Sequence, residues 1–239
     1  MNPIFAPVRK ARRVAGFTLV ETLMAVTIMG FASAGIVIFM QQGLKMYYAD
    51  RARMMINRDI RTFTSQMDSD AVTANFFVLY PNFTTRSSGS PATDAAVADG
   101  QVGDFLVLAY TDPALTSSGV SMITKLIGYY REVTNVTLNS GPVHRFEINL
   151  SPSVDVKSAP MYTIVNNAVT GAASSYPIVT QLAQGLATNT SGVPVTPALF
   201  YNLQNRSIMI DTQISESLTE RGTTSQTGNT YNFTVSPRG

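Results

Sequence analysis

The residues that could do chemistry are concentrated near the N-terminus. Four basic side chains, Arg9, Lys10, Arg12 and Arg13, precede an apolar run in which Glu21 is the only charged residue. A charge at the centre of a membrane helix costs roughly 2.5–3.5 kcal/mol on insertion scales, so a carboxylate in such a run is usually paired and functional. Glu21 is therefore the first candidate for a functional residue.

The rest of the chain offers little that resembles an active site. It has no cysteine and a single histidine, His144, which excludes thiolate chemistry and a zinc site built on several imidazoles. No G-x-S-x-G elbow accompanies His144, so we expect a surface or packing residue at the start of a strand. Asp94, Asp99 and Asp104 could in principle ligate calcium, but their spacing fits no EF-hand. We predict no catalytic residue, no metal and no cofactor.

The chain has a net charge of +2, but its charged residues are unevenly distributed. Removing the first sixteen residues leaves 13 basic residues (17 minus 4) against 15 acidic ones, a net charge of −2. That balance gives no indication of nucleic-acid binding. Glycine-rich phosphate loops are also absent, and we predict no small-molecule substrate.

The element that positions Glu21 must be a long apolar helix, because the apolar run continues from Phe17 to Met40. At about 1.5 Å per residue such a helix is roughly 36 Å long, enough to cross a hydrocarbon core of about 30 Å. The basic cluster before it should stay in the cytoplasm, so that the rest of the chain faces outward. An ordinary secretory signal has a similar layout, with a candidate cleavage site at Ala32-Ser33-Ala34. Against that interpretation, the run extends past this site and contains a carboxylate.

The segment Gly16-Phe17-Thr18-Leu19-Val20-Glu21 resembles the class III leader of type IV pilins and type II secretion pseudopilins. The resemblance implies that prepilin peptidase cuts between Gly16 and Phe17 and methylates the new N-terminus of Phe17. It also implies that Glu21 pairs with the N-terminal amine of a neighbouring subunit and sets the axial register of a filament. The sequence departs from the family at Ile38, where many major pilins have proline.

Two further segments are similar to particular branches of that family. Arg58-Asp59-Ile60-Arg61, after a polar helix, looks most like J-type minor pseudopilins and W-type minor pilins, and Phe233–Arg238 resembles the terminal strand of J-type members. Glu21 argues against a K-type tip subunit, which lacks that carboxylate. The resemblance implies that the partners are other pilins or pseudopilins, prepilin peptidase and inner-membrane lipid.

The helix is predicted to continue to about Asn75, since no proline occurs between Pro7 and Pro81. In its second part, apolar residues recur every three or four positions and should pack on a sheet. They are Ile56, Ile60, Phe63, Met67, Ala71 and Ala74. The charged residues around them, including Arg58, Asp59 and Arg61, should mostly face water.

Several later runs have the composition of half-buried antiparallel strands. They are Asp104–Thr111, Thr124–Val133, His144–Leu150, Met161–Val165, Ser207–Ile214 and Tyr231–Val235. Three segments are predicted as a long loop, a turn and an exposed hairpin loop, namely Tyr80–Gly103, Asn139–Pro142 and Arg221–Asn229. Gly171–Pro197 could hold a short helix or a meandering loop.

Together these features predict an α+β protein whose long N-terminal helix packs on an antiparallel β-sheet head. Its parts are a cleaved basic leader (1–16), a transmembrane and assembly helix (17–40), an amphipathic helix (41–79) and a periplasmic β-rich head (80–239). We expect a structural minor subunit that primes or caps a pseudopilus or pilus at the bacterial inner membrane, with no enzymatic activity. Two alternatives are a secreted β-rich enzyme or binding module released after Ala34, and a receptor domain on an uncleaved anchor.

Overall fold

A computed structural model describes residues 16–89, 92–117, 119–134, 140–170, 176–185, 198–220 and 223–238. The leader residues Arg9, Lys10, Arg12 and Arg13 lie outside this part of the chain. The chain divides into two compact units, Met1–Tyr48 and Ala49–Gly239. Helix α1, Leu19–Thr73, contributes to both units, and we call Leu19–Tyr48 its first half and Ala49–Thr73 its second half.

Helix α1 confirms the predicted helix from Phe17 to about Asn75 to within two residues at each end. The helical segment predicted over 41–79 is shorter than predicted, because the helix ends at Thr73 and Phe76–Tyr80 forms a strand. It ends where the backbone joins the sheet. The N–H of Asn75 donates to Ala109 O at 2.9 Å, and the Asn75 side-chain oxygen accepts from the N–H of Thr111 at 2.8 Å. These two bonds tie the residue that follows the end of α1 to strand β5.

The head is built mainly from antiparallel strands, which confirms the α+β class. In chain order the elements after α1 are β1 Phe76–Tyr80, β2 Ser87–Ser88, β3 Thr93–Asp94, β4 Val102–Gly103, β5 Phe105–Ser117, β6 Val120–Arg131, β7 Ser140–Asp155, α2 Met161–Thr170, β8 Tyr176–Gly185, β9 Phe200–Leu203, β10 Ser207–Glu220 and β11 Thr223–Val235. The main sheet has the order β1-β5-β6-β7-β8-β10-β9-β4, with β11 paired to β10. Strands β2 and β3 form a separate small hairpin.

The sheet buries both of its faces around β5. Leu106, Leu108 and Tyr110 belong to one apolar cluster and Phe105 and Val107 to the other. The second half of α1 covers the first cluster and α2 covers the second. Because both faces of β5 are buried, its sequence begins with a nearly continuous apolar run instead of alternating apolar and polar residues.

The second half of α1 presents a buried stripe at spacings of mostly three and four residues, as predicted. Its buried members are Ala52, Ile56, Asp59, Phe63, Met67, Asp70 and Ala71. The prediction that Asp59 faces water was wrong, because its position falls on this stripe and only 3% of the residue is exposed. Asp70 occupies the same stripe one turn beyond Met67 and was not singled out from the sequence.

The prediction of a strand at Met161–Val165 was also wrong. These residues begin α2, in which Met161, Ile164, Val165 and Ala168 are buried at helical spacing against the second cluster. The helix starts directly after Pro160, whose carbonyl accepts from the N–H of Thr163 at 2.9 Å. A short apolar run does not distinguish a strand from a buried helix by periodicity alone.

Two predicted turns belong to strands instead. Strand β11 includes Thr223–Asn229, which pair with Ile214–Glu220 of β10. The loop predicted over Arg221–Asn229 was therefore wrong from Thr223 onward. Ser140–Pro142 lies in β7, while Asn139 is outside the described residues. Strands β1 and β9 were not predicted, and the sequence that was left undecided at 171–197 contains β8. The segment predicted as a long loop over Tyr80–Gly103 contains the short strands β2, β3 and β4.

Candidate functional site

The candidate site is the stretch from Gly16 to Glu21 at the start of α1. Gly16, Phe17 and Thr18 precede the helix, and all three residues are exposed. A Cβ atom added at Gly16 would meet no other atom within 4 Å. The fold therefore does not itself require glycine at this position, and any such requirement must come from a protein that approaches the backbone.

Glu21 and Thr18 form a capping box at the helix N-terminus. The Thr18 N–H donates to Glu21 Oε2 at 2.9 Å and the Thr18 hydroxyl lies 3.0 Å from the same oxygen. The Glu21 N–H donates in turn to Thr18 Oγ1 at 3.3 Å. This reciprocal arrangement satisfies amide groups that have no partner within the helix. The T-x-x-E spacing before an apolar run signals it in the sequence, and our sequence interpretation missed it.

The capping box leaves part of the Glu21 carboxylate available. Both bonds from Thr18 reach Oε2, and Oε1 accepts no hydrogen bond from the described residues. Cleavage between Gly16 and Phe17 would leave Thr18 as the second residue of the shortened chain. The capping box and a new ammonium group on Phe17 are therefore compatible.

The first half of α1 exposes apolar side chains over its whole length. The large ones between Phe17 and Met46 that stay exposed are Phe17, Leu19, Val20, Leu23, Met24, Val26, Ile28, Met29, Phe31, Ile36, Val37, Ile38, Phe39, Met40, Leu44 and Met46. By length and composition the helix can cross a membrane. Its hydroxyl side chains suit an apolar surrounding, because Thr22, Thr27 and Ser33 donate to carbonyls of their own helix at 2.8–2.9 Å.

His144 is not part of a catalytic arrangement among the described residues. Its ring stacks on Tyr130 with centroids 5.1 Å apart, and its Nε2 lies 3.1 Å from a carboxylate oxygen of Glu132 without hydrogen-bond geometry. It sits inside β7, opposite Tyr130 of β6. These contacts agree with the prediction of a packing residue.

The three aspartates considered for calcium serve separate structural purposes. Asp94 accepts backbone N–H groups from Ala96 and Tyr162, and Asp99 accepts one from Gln204. Asp104 is buried, with Oδ2 at 2.6 Å from an Arg131 nitrogen and Oδ1 accepting from the N–H of Leu199 at 2.8 Å. Burial raises the pKa of the Asp104 carboxyl, although Arg131 acts in the opposite direction. Within the described residues no group of three or more His, Cys, Asp or Glu side chains is arranged to hold a metal.

A buried polar cluster in the head was not predicted from the sequence. Asp70 on α1 receives two bonds from the Arg145 guanidinium, at 2.8 and 3.2 Å, and a further bond from the Tyr129 hydroxyl. Arg145 also reaches Glu147 at 3.0 Å, and the Tyr110 hydroxyl donates to the Asp70 carbonyl at 2.7 Å. The cluster joins the second half of α1 to strands β5, β6 and β7.

The protonation states of Tyr129 and Arg145 are set by burial and by the groups that these side chains contact. Burial raises the pKa of Tyr129, as does its bond to Asp70, so Tyr129 stays a neutral donor. Burial alone would lower the pKa of Arg145, but Asp70 and Glu147 raise it overall, so the guanidinium stays charged. Every charged group thus has a partner, which is the condition for burying charges without a large penalty. The arrangement is a structural clamp and offers no reactive group.

The comparison with protein families locates a match at the candidate site. Residues 11–37 match the model described as the prokaryotic N-terminal methylation motif. The matched segment contains Gly16, Phe17 and Glu21. No curated protein and no solved structure gives a significant match to the chain.

Proposed function

Because its N-terminus carries the methylation motif of the type IV pilin and pseudopilin family, we propose that this chain is a minor structural subunit that primes or caps a filament. The motif indicates a substrate of prepilin peptidase that assembles with other pilins. The observation that carries the proposal is the match at residues 11–37 on a helix able to cross a membrane. Whether the chain is of the J-type or W-type branch stays a prediction.

Processing between Gly16 and Phe17 is the first step of the proposal. The bond lies in an exposed segment just before the first helical residue, Leu19, where a peptidase can reach the backbone. The basic residues Arg9, Lys10, Arg12 and Arg13 would hold the leader in the cytoplasm. N-methylation of the Phe17 amine would complete maturation.

Anchoring and orientation follow from the same helix. The motif and the apolar first half of α1 indicate a membrane-anchored protein. In the proposal, residues 17–40 span the inner membrane, residues 41–79 join the span to the head, and residues 80–239 form a periplasmic head. A leader of residues 1–16 is removed.

Assembly is the step that uses Glu21. A carboxylate surrounded by lipid is unfavourable until it meets a positive charge. The unused Oε1 of Glu21 can accept the N-terminal amine of a neighbouring subunit while Oε2 keeps its bonds to Thr18. Pairing would fix one subunit's position along the filament relative to the next. The family is generally structural rather than enzymatic, in agreement with our expectation of no enzymatic activity.

Two substitutions at Glu21 separate its charge from its capping role. Glu21→Gln keeps a side chain that can complete a capping box but removes the charge, whereas Glu21→Val removes both. Neither change should reduce membrane abundance or cleavage after Gly16. Both should abolish co-purification of the mature chain with other pilin subunits, because the Phe17 ammonium then lacks a carboxylate partner.

Glu21→Asp and Thr18→Val complete the design. Glu21→Asp keeps the charge about one methylene short of its partner and should give intermediate co-purification. Thr18→Val removes the hydroxyl of the capping box but leaves the carboxylate, and should assemble. Normal co-purification of Glu21→Gln at normal membrane abundance would contradict the assembly role.

An ordinary exported or membrane-tethered β-rich domain is the alternative. Cleavage after Ala34 would remove Glu21 from the mature protein, so no Glu21 variant would then alter the behaviour of the released head. The Glu21 variants therefore distinguish a secreted domain from the proposed subunit. A domain on an uncleaved anchor is distinguished by its N-terminus, because it would keep residues 1–16.

A further inference from the structure

A basic segment follows the apolar run of α1. Within Lys45–Arg53 there are three basic residues and one acidic residue, a net charge of +2. Lys45, Arg51 and Arg53 are all exposed, and neither Lys45 nor Arg51 forms an ion pair among the side chains that the structure describes. The acidic residue, Asp50, lies 3.9 Å from Arg53 at an exposed position. The segment therefore offers cations to whatever surrounds the helix.

These side chains are distributed around the helix axis instead of forming one stripe. With 3.6 residues per turn, Arg53 is rotated from Lys45 by about 80°, Tyr47 by about 200° and Arg51 by about 240°. The Tyr47 side chain is 61% exposed. We call Lys45, Tyr47, Arg51 and Arg53 the collar. A single protein face would contact only one side of the helix, whereas a layer of lipid headgroups surrounds it.

The collar lies where the apolar surface of the helix ends. Large exposed apolar side chains continue along α1 as far as Leu44 and Met46. The collar begins at this point and occupies about 12 Å along the axis at the standard rise. Lysine and arginine extend long apolar stems towards a membrane while their charged ends reach the headgroups, and tyrosine is enriched at the same level.

The cations of the collar lie on the side of the span where basic residues are normally scarce. Basic residues near a span are usually in excess on the cytoplasmic side. In the mature chain of the proposed function, which begins at Phe17, no Lys or Arg precedes Lys45. The leader would therefore set the orientation before it is removed, and the collar would remain outside with no part in orientation. A binding role accounts for cations at this position.

We propose that the collar binds the phosphate groups of anionic phospholipids at the outer surface of the inner membrane. The inference rests on the proposed function, because the proposed anchoring and orientation bring the collar to that surface. Guanidinium groups bind phosphate through two parallel hydrogen bonds, and lysine adds a point charge. Each basic residue near an anionic membrane raises the affinity about fivefold.

The charge of the remaining chain limits this attraction to the neighbourhood of the collar. Residues 62–239 contain eight basic and twelve acidic residues, a net charge of −4. An anionic membrane therefore attracts the collar and repels the part of the chain that follows it. Together the two effects favour one depth of the helix in the membrane.

Protection of arginines from phenylglyoxal tests the contact directly. The full-length chain is reconstituted in nanodiscs of phosphatidylcholine, with or without phosphatidylglycerol, and labelling is mapped by mass spectrometry. We expect Arg51 and Arg53 to react at least fivefold more slowly when phosphatidylglycerol is present. Arg206, at an exposed turn between β9 and β10, is the matched control and should react equally in both nanodiscs. Arg61, about 12 Å beyond Arg53 along the helix, should be protected less than Arg53.

Several results of this experiment would overturn the proposal. Equal labelling of Arg51 and Arg53 in the two nanodiscs would show that the collar does not bind the anionic lipid. Equal slowing at Arg206 would show a general effect of the charged bilayer, and equal protection of Arg61 would show a helix that lies along the surface. Protection of Arg51 and Arg53 by soluble glycerol 3-phosphate in phosphatidylcholine nanodiscs would assign the cations to free phosphate esters.

Neutral variants provide the second arm. The triple variant Lys45→Gln, Arg51→Gln, Arg53→Gln should lower the phosphatidylglycerol retained per chain after mild detergent extraction at least tenfold. The double variant Arg51→Lys, Arg53→Lys keeps the charge and should retain most of the lipid. Arg58→Gln combined with Arg61→Gln is the matched control on the same helix and should leave retention unchanged. Unchanged retention in the triple variant would contradict the proposal.

The proposed function has a separate readout in the same samples. Cleavage after Gly16 and the Glu21 dependence of assembly do not involve the collar. If both persist while the triple variant retains lipid as the wild type does, only the collar proposal fails. If cleavage after Gly16 is absent, the proposed function itself fails.

Discussion

The two halves of α1 use the same residue types in opposite ways. Phe31 in the first half is 81% exposed, whereas Phe63 in the second half is fully buried between Tyr129 and Phe233. Among the described residues, Glu21 accepts hydrogen bonds only from Thr18 in its own helical turn, whereas Asp70 accepts them from side chains of neighbouring strands. The second half is specified by contacts within the chain. The first half presents a surface that is exposed along its length, and in the proposed function lipid and other subunits cover it.

The matched phenylalanines give the largest expected contrast. Phe63→Ala should lower the free energy of unfolding of the head by about 3–5 kcal/mol, because the lost burial is compounded by the cavity that remains. Phe31→Ala should leave that free energy unchanged. Urea unfolding of the full-length chain in detergent, followed by the near-UV signal of tyrosine, measures both. An unchanged transition for Phe63→Ala would mean that the stripe on the second half serves an interface instead of the core.

The matched carboxylates give an intermediate contrast. Asp70→Asn keeps the shape of the side chain but removes a charged partner from Arg145, and should cost about 1.5–3 kcal/mol of unfolding free energy. Glu21→Gln should not change the unfolding of the head, although it should abolish assembly. Asp68→Asn, two residues from Asp70 and exposed, controls for charge on the second half of the helix. Equal effects of Asp68→Asn and Asp70→Asn would remove the distinction between a clamp and a surface carboxylate.

The smallest effect is expected at the hydroxyl that completes the clamp. Tyr129→Phe removes one donor to Asp70, which keeps both of its bonds to Arg145, so the cost should be about 1 kcal/mol. The same urea experiment resolves a shift of this size. A loss as large as that of Phe63→Ala would show that the cluster depends on Tyr129 rather than on the Asp70–Arg145 pair.

The first half of α1 could be predicted from the sequence more completely than the second half, and the reason is physical. The apolar run and the leader pattern are local, so the first half and the Gly16–Glu21 segment at its start could be identified from adjacent residues. The buried stripe of the second half was identified by its spacing, but Asp59 and Asp70 were missed because a charged residue on a core face signals burial only when its partner is known. Arg145 lies 75 residues from Asp70, and no local pattern connects them.

The errors in the head have a similar origin. Met161–Val165 is apolar enough for a strand or a helix, and the packing of α2 on the second cluster decides between them. Thr223–Asn229 has the composition of a loop, yet its pairing with β10 makes it a strand. In both segments tertiary contacts override local preference. The capping box is the reverse case, since T-x-x-E is a local signal that the sequence contained and the interpretation overlooked.

The most direct test of the whole account is the mass of the mature N-terminus. Intact-mass and N-terminal peptide analysis of the chain isolated from its native membrane should show a protein that begins at Phe17 with a methylated amine. Gly16→Leu should retain the leader and accumulate as the uncleaved form, because a side chain at that position blocks the close approach of the peptidase. A mature chain that begins at Gly35 or at Met1, or normal processing of Gly16→Leu, would contradict the account.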